Sequence, residues 1–406
     1  MRIMDKTEAK KVETSAARGL GQRISRHALS SLARKMYPKR VSARNIPRDV
    51  NLRVHLTMLQ WFLHQELPQK FAQVFSPALV LEPLPNQGWS NFAFLAHSLK
   101  RDYVVRMRAD NSATGHAHKW APYHKEEWIL QALQSKVPVP EVIGDGIGYV
   151  ATATEVRQYA YFIQSYINCA SADTIAAYLE PQMFRQNLGA VARVINSVPC
   201  NGFGTEFNSE NNSFVHKNWS DAVYQDIRDS NVDRLVSHSI LTRAEAITLT
   251  QRFLTLTTLE FKPTLYHGDF VENWSNVLAD RSGKIHGIID WELSGSGPAP
   301  QMECALLLYM MIRDGRSKQQ IERDFSAFLQ GYGMSEKEYR ERYAYDVETI
   351  VLLQALKKCN RYLDIDASGG LREHAWRMRF FERCKVLIGL GARLSGVSER
   401  RILFSY

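Results

Sequence analysis

The rhythm of apolar positions changes several times along the chain, and each change marks a different kind of element. Leu20, Ile24, Ala28, Leu32 and Met36 recur at about every fourth residue, with Arg23, Arg26, Arg34 and Lys35 between them. That is the pattern of an amphipathic basic helix. Leu52 to Leu67 repeats it, with Leu56, Leu59, Phe62 and Leu63 on one side, and leads up to Pro68. From about Ala78 the period shortens. Leu79 to Leu84, Asn91 to Leu99 and Tyr103 to Arg108 read as three antiparallel strands, the last two joined by the polar turn Lys100 to Asp102. A helix is expected over Ala121 to Gln134, ended by the prolines of Val137-Pro-Val-Pro140, and two further strands around Tyr149 to Thr154 and Tyr159 to Ile167.

Beyond Ile167 the pattern turns mostly helical. Ser171 to Tyr178, Pro181 to Asn196, Ser220 to Asp229 and Arg243 to Leu259 are expected helices, followed by several long ones from Glu303 onward. One short β pair, Val277 to Ala279 with His286 to Ile289, interrupts them. The expected organisation is therefore α+β and two-lobed: a basic helical extension over 1–77, a strand-rich lobe over 78–167, and a helical lobe over 168–406. Neither a repeat nor a low-complexity segment is visible.

Composition narrows the class of protein. The hydrophobic fraction of 45% and aromatic fraction of 11% are those of a folded globular chain. The longest clearly apolar run, Ala305 to Ile312, is far short of the about 20 residues a membrane crossing needs. The formal charge of +9 is unevenly spread: residues 1–53 hold fourteen Lys and Arg against four Asp and Glu, leaving about −1 for the remainder. Attraction to an anionic surface thus attaches to the extension alone, through weak contact of its basic helix, and packing against the main domain is the favoured role for that helix. No nucleic-acid partner is expected. Cys169, Cys200, Cys304, Cys359 and Cys384 are odd in number and lack metal or disulfide spacing, so reduced thiols in a cytoplasmic protein are expected. The early acidic residues Asp5, Glu8 and Glu13 do not fit a secretory leader.

The chemistry is concentrated in Leu265-Tyr-His-Gly-Asp-Phe-Val-Glu-Asn-Trp-Ser-Asn-Val-Leu278, followed by Ile288-Ile-Asp-Trp-Glu292. A His and an Asp precede a short loop, an Asn ends it, a hairpin follows, and a second Asp stands at the far end of the hairpin. Phosphoryl transfer from a nucleotide to an alcohol needs such a set. One carboxylate orients the hydroxyl and accepts its proton, while a second carboxylate and a carboxamide hold magnesium on the phosphates.

The segment resembles the catalytic and metal-binding motifs of the aminoglycoside phosphotransferase and choline kinase family, distant relatives of protein kinases. The resemblance implies a protein-kinase-like fold with a small antiparallel-sheet lobe and a mainly helical lobe. It implies ATP and Mg2+ as cofactors and a hydroxyl of a small molecule as acceptor: an aminoglycoside-type antibiotic, an amino alcohol or a sugar. Asp269 matches the catalytic base, His267 the loop-ordering His, Asn276 the first metal ligand, and Asp290 the Asp that plays the protein-kinase DFG role. One departure stands out. The family usually places its Asn five positions after the base, which here is Trp274, whereas Asn276 stands seven after Asp269. Asn276 leads into the Val277-Leu278 strand and stands fourteen residues before Asp290, as the family's hairpin requires, so a two-residue insertion is read, with Asn273 as the competing ligand.

The same resemblance reaches the strand-rich lobe. Pro85-Asn-Gln-Gly-Trp-Ser-Asn91 is similar to the phosphate-covering loop, with Ser90 and Asn91 near the nucleotide; taken alone it is an ordinary hairpin turn. Tyr103 to Arg108 is similar to the strand that carries the phosphate-pairing cation, assigned to Arg106 with Arg108 as rival on the same face. Lys125 to Leu133 resembles the helix whose Glu, here Glu126, pairs with that cation. Phe162 to Ile167, including Gln164 and Tyr166, matches the connection that meets adenine. Gly202-Phe-Gly204 and Trp219 extend the match, which covers Leu79 to Leu308. Ser294 to Pro300 lacks the acidic residue that relatives often carry, and Glu303 is read as a structural carboxylate. The rival reading is a catalytically inactive kinase-like protein that binds a nucleotide or another ligand; retention of both Asp269 and Asp290 argues against it.

Overall fold

The computed structural model describes residues 48–84, 92–109, 123–151, 156–271, 274–367 and 375–394. The basic helix expected over Leu20 to Met36, the loop from Pro85 to Asn91 and Asn273 lie outside them.

Helix α1 (Arg48–Lys70) buries the apolar positions read from its sequence, Leu59, Leu63 and Leu67. It runs through Pro68 instead of ending there. Proline at that position forfeits one hydrogen bond near the helix end, and the following turn still closes, with Phe71 N–H reaching the Leu67 carbonyl at 2.8 Å. The helix packs on an antiparallel sheet of five strands, β1 (Val80–Pro83), β2 (Phe92–His97), β3 (Asp102–Ala109), β4 (Val142–Ala151) and β5 (Val156–Ser165), in the order β1-β2-β3-β5-β4. Strand β4 begins well before the expected Tyr149, in a stretch that contains three glycines. Gly144, Gly146 and Gly148 share one face, and a Cβ at these positions would stand 2.6, 2.3 and 2.1 Å from the rings of Phe71, Tyr161 and Phe62. The glycines make room for aromatic side chains, which is why a strand can contain them.

The chain divides into two compact units: one runs up to His124 and includes Glu141–Tyr166, the other comprises Lys125–Pro140 and everything from Ile167. Helix α1 thus shares its core with the sheet and is no part of an extension, and the helix expected over Ala121 to Gln134, observed as α2 (His124–Leu133), belongs largely to the second unit.

That second unit is mainly helical. Its further helices are α3 (Pro181–Ile195), α4 (Trp219–Ser230), α5 (Val232–Ser237), α6 (Arg243–Leu254), α7 (Ala299–Arg313), α8 (Lys318–Tyr332), α9 (Glu336–Arg342), α10 (Ala344–Ala367) and α11 (Ala375–Leu394). Helix α7 is buried on nearly every side, as a helix apolar all round must be. The helix expected over Ser171 to Tyr178 is reduced to a single tight turn, Ala176–Tyr178. Its backbone is committed elsewhere: Ala172 N–H donates to Val277, and Ala170 accepts from Ala279. The Arg243 to Leu259 helix ends at Leu254 and tightens, because Thr255, Thr257 and Thr258 turn their hydroxyls back onto carbonyls three residues earlier.

Two small sheets position the chemistry. Strands β9 (Val277–Ala279) and β10 (Ile285–Ile288) form the expected hairpin. A second sheet, order β7-β6-β11-β8, was not legible: β6 (Phe203–Asn208), β7 (Ser213–His216), β8 (Thr264–Tyr266) and β11 (Gly295–Gly297) are short, and β11 is Gly-Ser-Gly. Among the described residues no helix is long and apolar enough to cross a membrane.

Candidate active site

Strand β8 delivers His267 to the end of the hairpin. The imidazole is fully buried, with its ring centroid 4.3 Å from that of Trp291 and 5.3 Å from that of Phe270. Burial lowers its pKa to about 3, so the ring is neutral near neutral pH. Nε2 lies 3.1 Å from the Ile289 carbonyl, and a carbonyl only accepts, so Nε2 carries the proton. The ring ties the end of β8 to the residue preceding Asp290. Both backbone groups of His267 are held as well: its N–H donates to Glu303 Oε1 at 3.0 Å and its carbonyl accepts from Ser294 Oγ at 3.1 Å. Gly268 follows with φ +84°, and a Cβ there would stand 2.3 Å from the Leu293 carbonyl oxygen. Only glycine combines that backbone with that approach.

Asp269 and Asn276 are joined directly. Asn276 Nδ2 donates to Asp269 Oδ2 at 2.8 Å, which orients the carboxylate and turns the amide oxygen of Asn276 the other way. The Asn276 carbonyl accepts from Ile289 N–H at 3.0 Å, and Val277 pairs with Ile288, so Asn276 stands across the hairpin from the residue before Asp290. The seven-residue spacing is accommodated by an anchor. The Trp274 indole meets Phe184 edge-on at 5.1 Å, with the Arg185 guanidinium 4.3 Å over its ring and that of Arg316 5.6 Å away. A tight turn over Trp274–Asn276 then leads into β9. Where family spacing would put the metal ligand, this chain has an aromatic plug. Asn273, the competing ligand, lies outside the described residues.

Arg185 was missed from sequence. It is 1% exposed, and burial lowers its pKa to about 9. Asp324, also buried, answers it at 3.7 Å and takes Arg316 at 2.9 Å and Arg323 at 3.1 Å. The available signal was an arginine on the buried side of α3, beside Phe184 and ahead of Leu188 and Ala192.

Asp290 has φ +65°, a left-handed conformation that costs an L-residue about 1–2 kcal/mol. Such outliers persist where surrounding structure imposes them, often at functional sites. Here the turn Trp291–Leu293 follows directly, with Trp291 Nε1 donating to the Ile288 carbonyl at 3.2 Å. Among the described residues no three His, Cys, Asp or Glu side chains cluster as a metal cage. The Asn276 amide oxygen and the Asp290 carboxylate are two hard oxygen donors, which fits Mg2+, an ion that takes few protein ligands and completes its shell with phosphates and water.

In the first unit, Arg106 of β3 is 8% exposed, lies 5.6 Å over the Tyr123 ring and faces Phe162 across the β3–β5 register. Tyr123 stacks on Phe162 at 5.3 Å. Arg108 projects from the same strand two residues on and is less buried. Gln164 is buried on β5 opposite Val104, while Tyr166 is partly exposed, its N–H donating to Asp102. Ser90 and Asn91 lie outside the described residues. Glu126, on α2 in the second unit, is buried. The structure therefore brings His267, Asp269, Asn276 and the turn at Asp290 together within the second unit, and places Arg106, Gln164 and Tyr166 in the first.

The profile described as the phosphotransferase enzyme family matches residues 81–345. A search of curated proteins finds no significant match. Among solved structures, the fold is similar to the aminoglycoside phosphotransferase APH(4)-Ia in ternary complex with AMP-PNP and hygromycin B, at 19% identity and a TM-score of 0.54, covering 83% of this chain and 99% of that one. It is similar to amicoumacin kinase in complex with AMP-PNP and Ca2+, at 14% identity and 0.53, covering 81% and 95%. A microcompartment-associated aminopropanol kinase is alike at 17% identity and 0.53, covering 84% and 99%. At such identities these likenesses speak for the fold, an antiparallel sheet followed by a helical part. The family profile spans well over half of the sequence, and the chain belongs to the phosphotransferase enzyme family.

Proposed function

We propose that the protein is an ATP- and Mg2+-dependent kinase that moves the γ-phosphoryl group to a hydroxyl of a small molecule: an aminoglycoside-type antibiotic, an amino alcohol or a sugar. The observation that carries this reading is the hydrogen bond from Asn276 Nδ2 to Asp269 Oδ2 at 2.8 Å, which orients the carboxylate assigned to the acceptor hydroxyl. The acceptor oxygen attacks the γ-phosphorus as its proton passes to Asp269; the bond to the bridging oxygen breaks and ADP leaves with the electron pair. The Asn276 amide oxygen and the Asp290 carboxylate would hold the metal, which would supply charge neutralisation on the phosphates. Arg106 and Glu126 are assigned to the phosphate end, Ser90 and Asn91 to the loop over it, and Gln164 and Tyr166 to the base. His267, neutral and bonded to the backbone, contributes positioning alone.

The kinship with enzymes crystallised with hygromycin B and amicoumacin, and with an aminopropanol kinase, supports hydroxyl-bearing amines as the first substrates to try. All five cysteines are free, four of them buried, which supports a reducing, cytoplasmic setting. The test is incubation with magnesium-ATP and a panel of aminoglycosides, macrolides, amino alcohols and sugars, reading phosphate transfer by mass. Asp269→Ala should lower transfer at least about a hundredfold and leave ATP affinity within a few-fold. An Asp269→Ala enzyme with full activity removes Asp269 from its role. Nucleotide binding without transfer to any acceptor would favour the inactive binding protein.

A further inference from the structure

Helix α2 opens with a lysine whose ammonium group is spent entirely on backbone. Lys125 Nζ donates to the carbonyls of Glu292 at 2.6 Å, Ser294 at 3.0 Å and Thr205 at 3.2 Å. An ammonium has three donors, and here three carbonyls take them. Two of the carbonyls belong to the turn immediately after Asp290, and the third lies on β6, which pairs with β11 beyond that turn. Desolvating an amine is costly, and burial brings its pKa down to about 8; the position has been kept polar at that cost.

The turn that Lys125 grips is also closed from within the second unit. Asp290 enters it left-handed, Ser294 N–H donates to the Trp291 carbonyl at 3.1 Å, and Ser294 Oγ reaches the His267 carbonyl. The grip also fixes the first turn of α2, which is rooted in the same unit by Trp128 against Phe207 at 5.5 Å and by buried Ile129, Leu130 and Leu133. Glu126 is the next residue on that helix.

We propose that Lys125 is a positioning residue for phosphoryl transfer: its ammonium group holds the turn after Asp290 in the conformation that presents Asp290 to a divalent cation, and ties that turn to the helix bearing Glu126. The inference rests on the phosphotransferase reading for its kinetic consequence, and on geometry alone for the grip. Arginine would not replace it, because a planar fork cannot address three carbonyls arranged around a point.

The experiment uses the full chain and compares Lys125→Met, which keeps the stem and removes the donors, with Lys125→Arg. Two readouts are taken. Hydrogen exchange of the amides from Trp291 to Ser294 should accelerate by about tenfold or more in Lys125→Met, whatever the protein catalyses. The Mg2+ concentration for half-maximal turnover should rise about tenfold, a typical cost of losing an outer-shell support of a metal site, while the acceptor KM and metal-free nucleotide affinity stay within about twofold. Lys125→Arg should rescue neither. A merely structural lysine predicts a lower melting temperature with an unchanged Mg2+ requirement in the surviving enzyme, and that result overturns the proposal, as does wild-type exchange in Lys125→Met. Where Lys125→Met fails to fold, Lys125→Gln carries the same two readouts. A wild-type protein that turns over no nucleotide defeats the phosphotransferase reading, and the exchange measurement then still decides the grip.

Discussion

Two cores in this molecule are held in different ways. Behind the five-stranded sheet, Leu59, Leu63 and Leu67 of α1 meet Phe94, Val105, Met107, Tyr159 and Ile163, a core that is apolar apart from its tyrosine hydroxyls. Behind the catalytic strand the buried groups are polar. Asn196 Nδ2 donates to the Leu265 carbonyl at 2.9 Å, Tyr332 donates to Asn196 Oδ1 at 2.9 Å, Glu303 takes the His267 N–H, and Ser294 serves the His267 carbonyl. The first core needs volume and apolarity, which many side chains supply. The second needs particular atoms within about 3 Å, because an unmet polar group in a dry interior costs about 1–3 kcal/mol. Stability and placement of the chemistry are thus separable, and substitutions in the two cores should fail differently.

The largest expected effect is at the metal. Asp290→Ala should abolish Mg2+-dependent nucleotide binding, measured by calorimetry with and without Mg2+, since one of two hard-oxygen donors is gone. Undiminished metal-dependent binding would remove Asp290 from its assignment. Next comes Leu63→Ala in the apolar core, which should lower unfolding free energy by about 2–5 kcal/mol while the folded fraction binds nucleotide as before. Altered affinity in that fraction would show that the two cores are not separable.

The paired asparagines sharpen the comparison within the catalytic loop. Asn276→Ala loses both the bond to Asp269 and the amide oxygen, so turnover should fall steeply, about a hundredfold, and the Mg2+ requirement should rise. Asn273→Ala should spare metal dependence. A reversal would mean that Trp274 and its arginines anchor the loop without making Asn276 the ligand.

What the sequence made legible follows the same division. The candidate catalytic residues lie in one contiguous segment, and periodicity found α1 and most of the first sheet, because both signals are local. Lys125 and Arg185 were not assigned their roles, since their partners lie far away in sequence or are backbone carbonyls, which every residue possesses. Strand β11 hid for a related reason: Gly-Ser-Gly has no apolar alternation, and its pairing with Leu265 and Tyr266 on one side and Gly204 on the other fixes it as a strand. Pro68 misled in the opposite direction, being a local stop signal that tertiary burial of Leu67 overrode.

The smallest effect expected is a change in pH dependence at Glu303. Its carboxyl is fully buried, and burial raises its pKa from 4.5 to about 7, against which the His267 N–H works only partly. Between those two pH values the native state holds a proton that the unfolded chain has released. Stability from this group is therefore fully present below about pH 4.5 and is lost as pH rises through 7, a loss of roughly 3 kcal/mol at most. His267 acts in the opposite sense: its pKa is lowered from 6.5 to about 3, so its contribution is present above 6.5 and lost as pH falls. The two windows overlap and partly cancel in the wild-type curve, and only a difference between variants isolates the carboxyl. Glu303→Gln keeps an oxygen for the His267 N–H and removes the titration. The variant should match wild type near pH 4.5, exceed it in unfolding free energy at pH 8, and keep turnover within a few-fold. Parallel pH curves for the two proteins would mean that Glu303 is ionised in the folded state, its charge offset within the polar core.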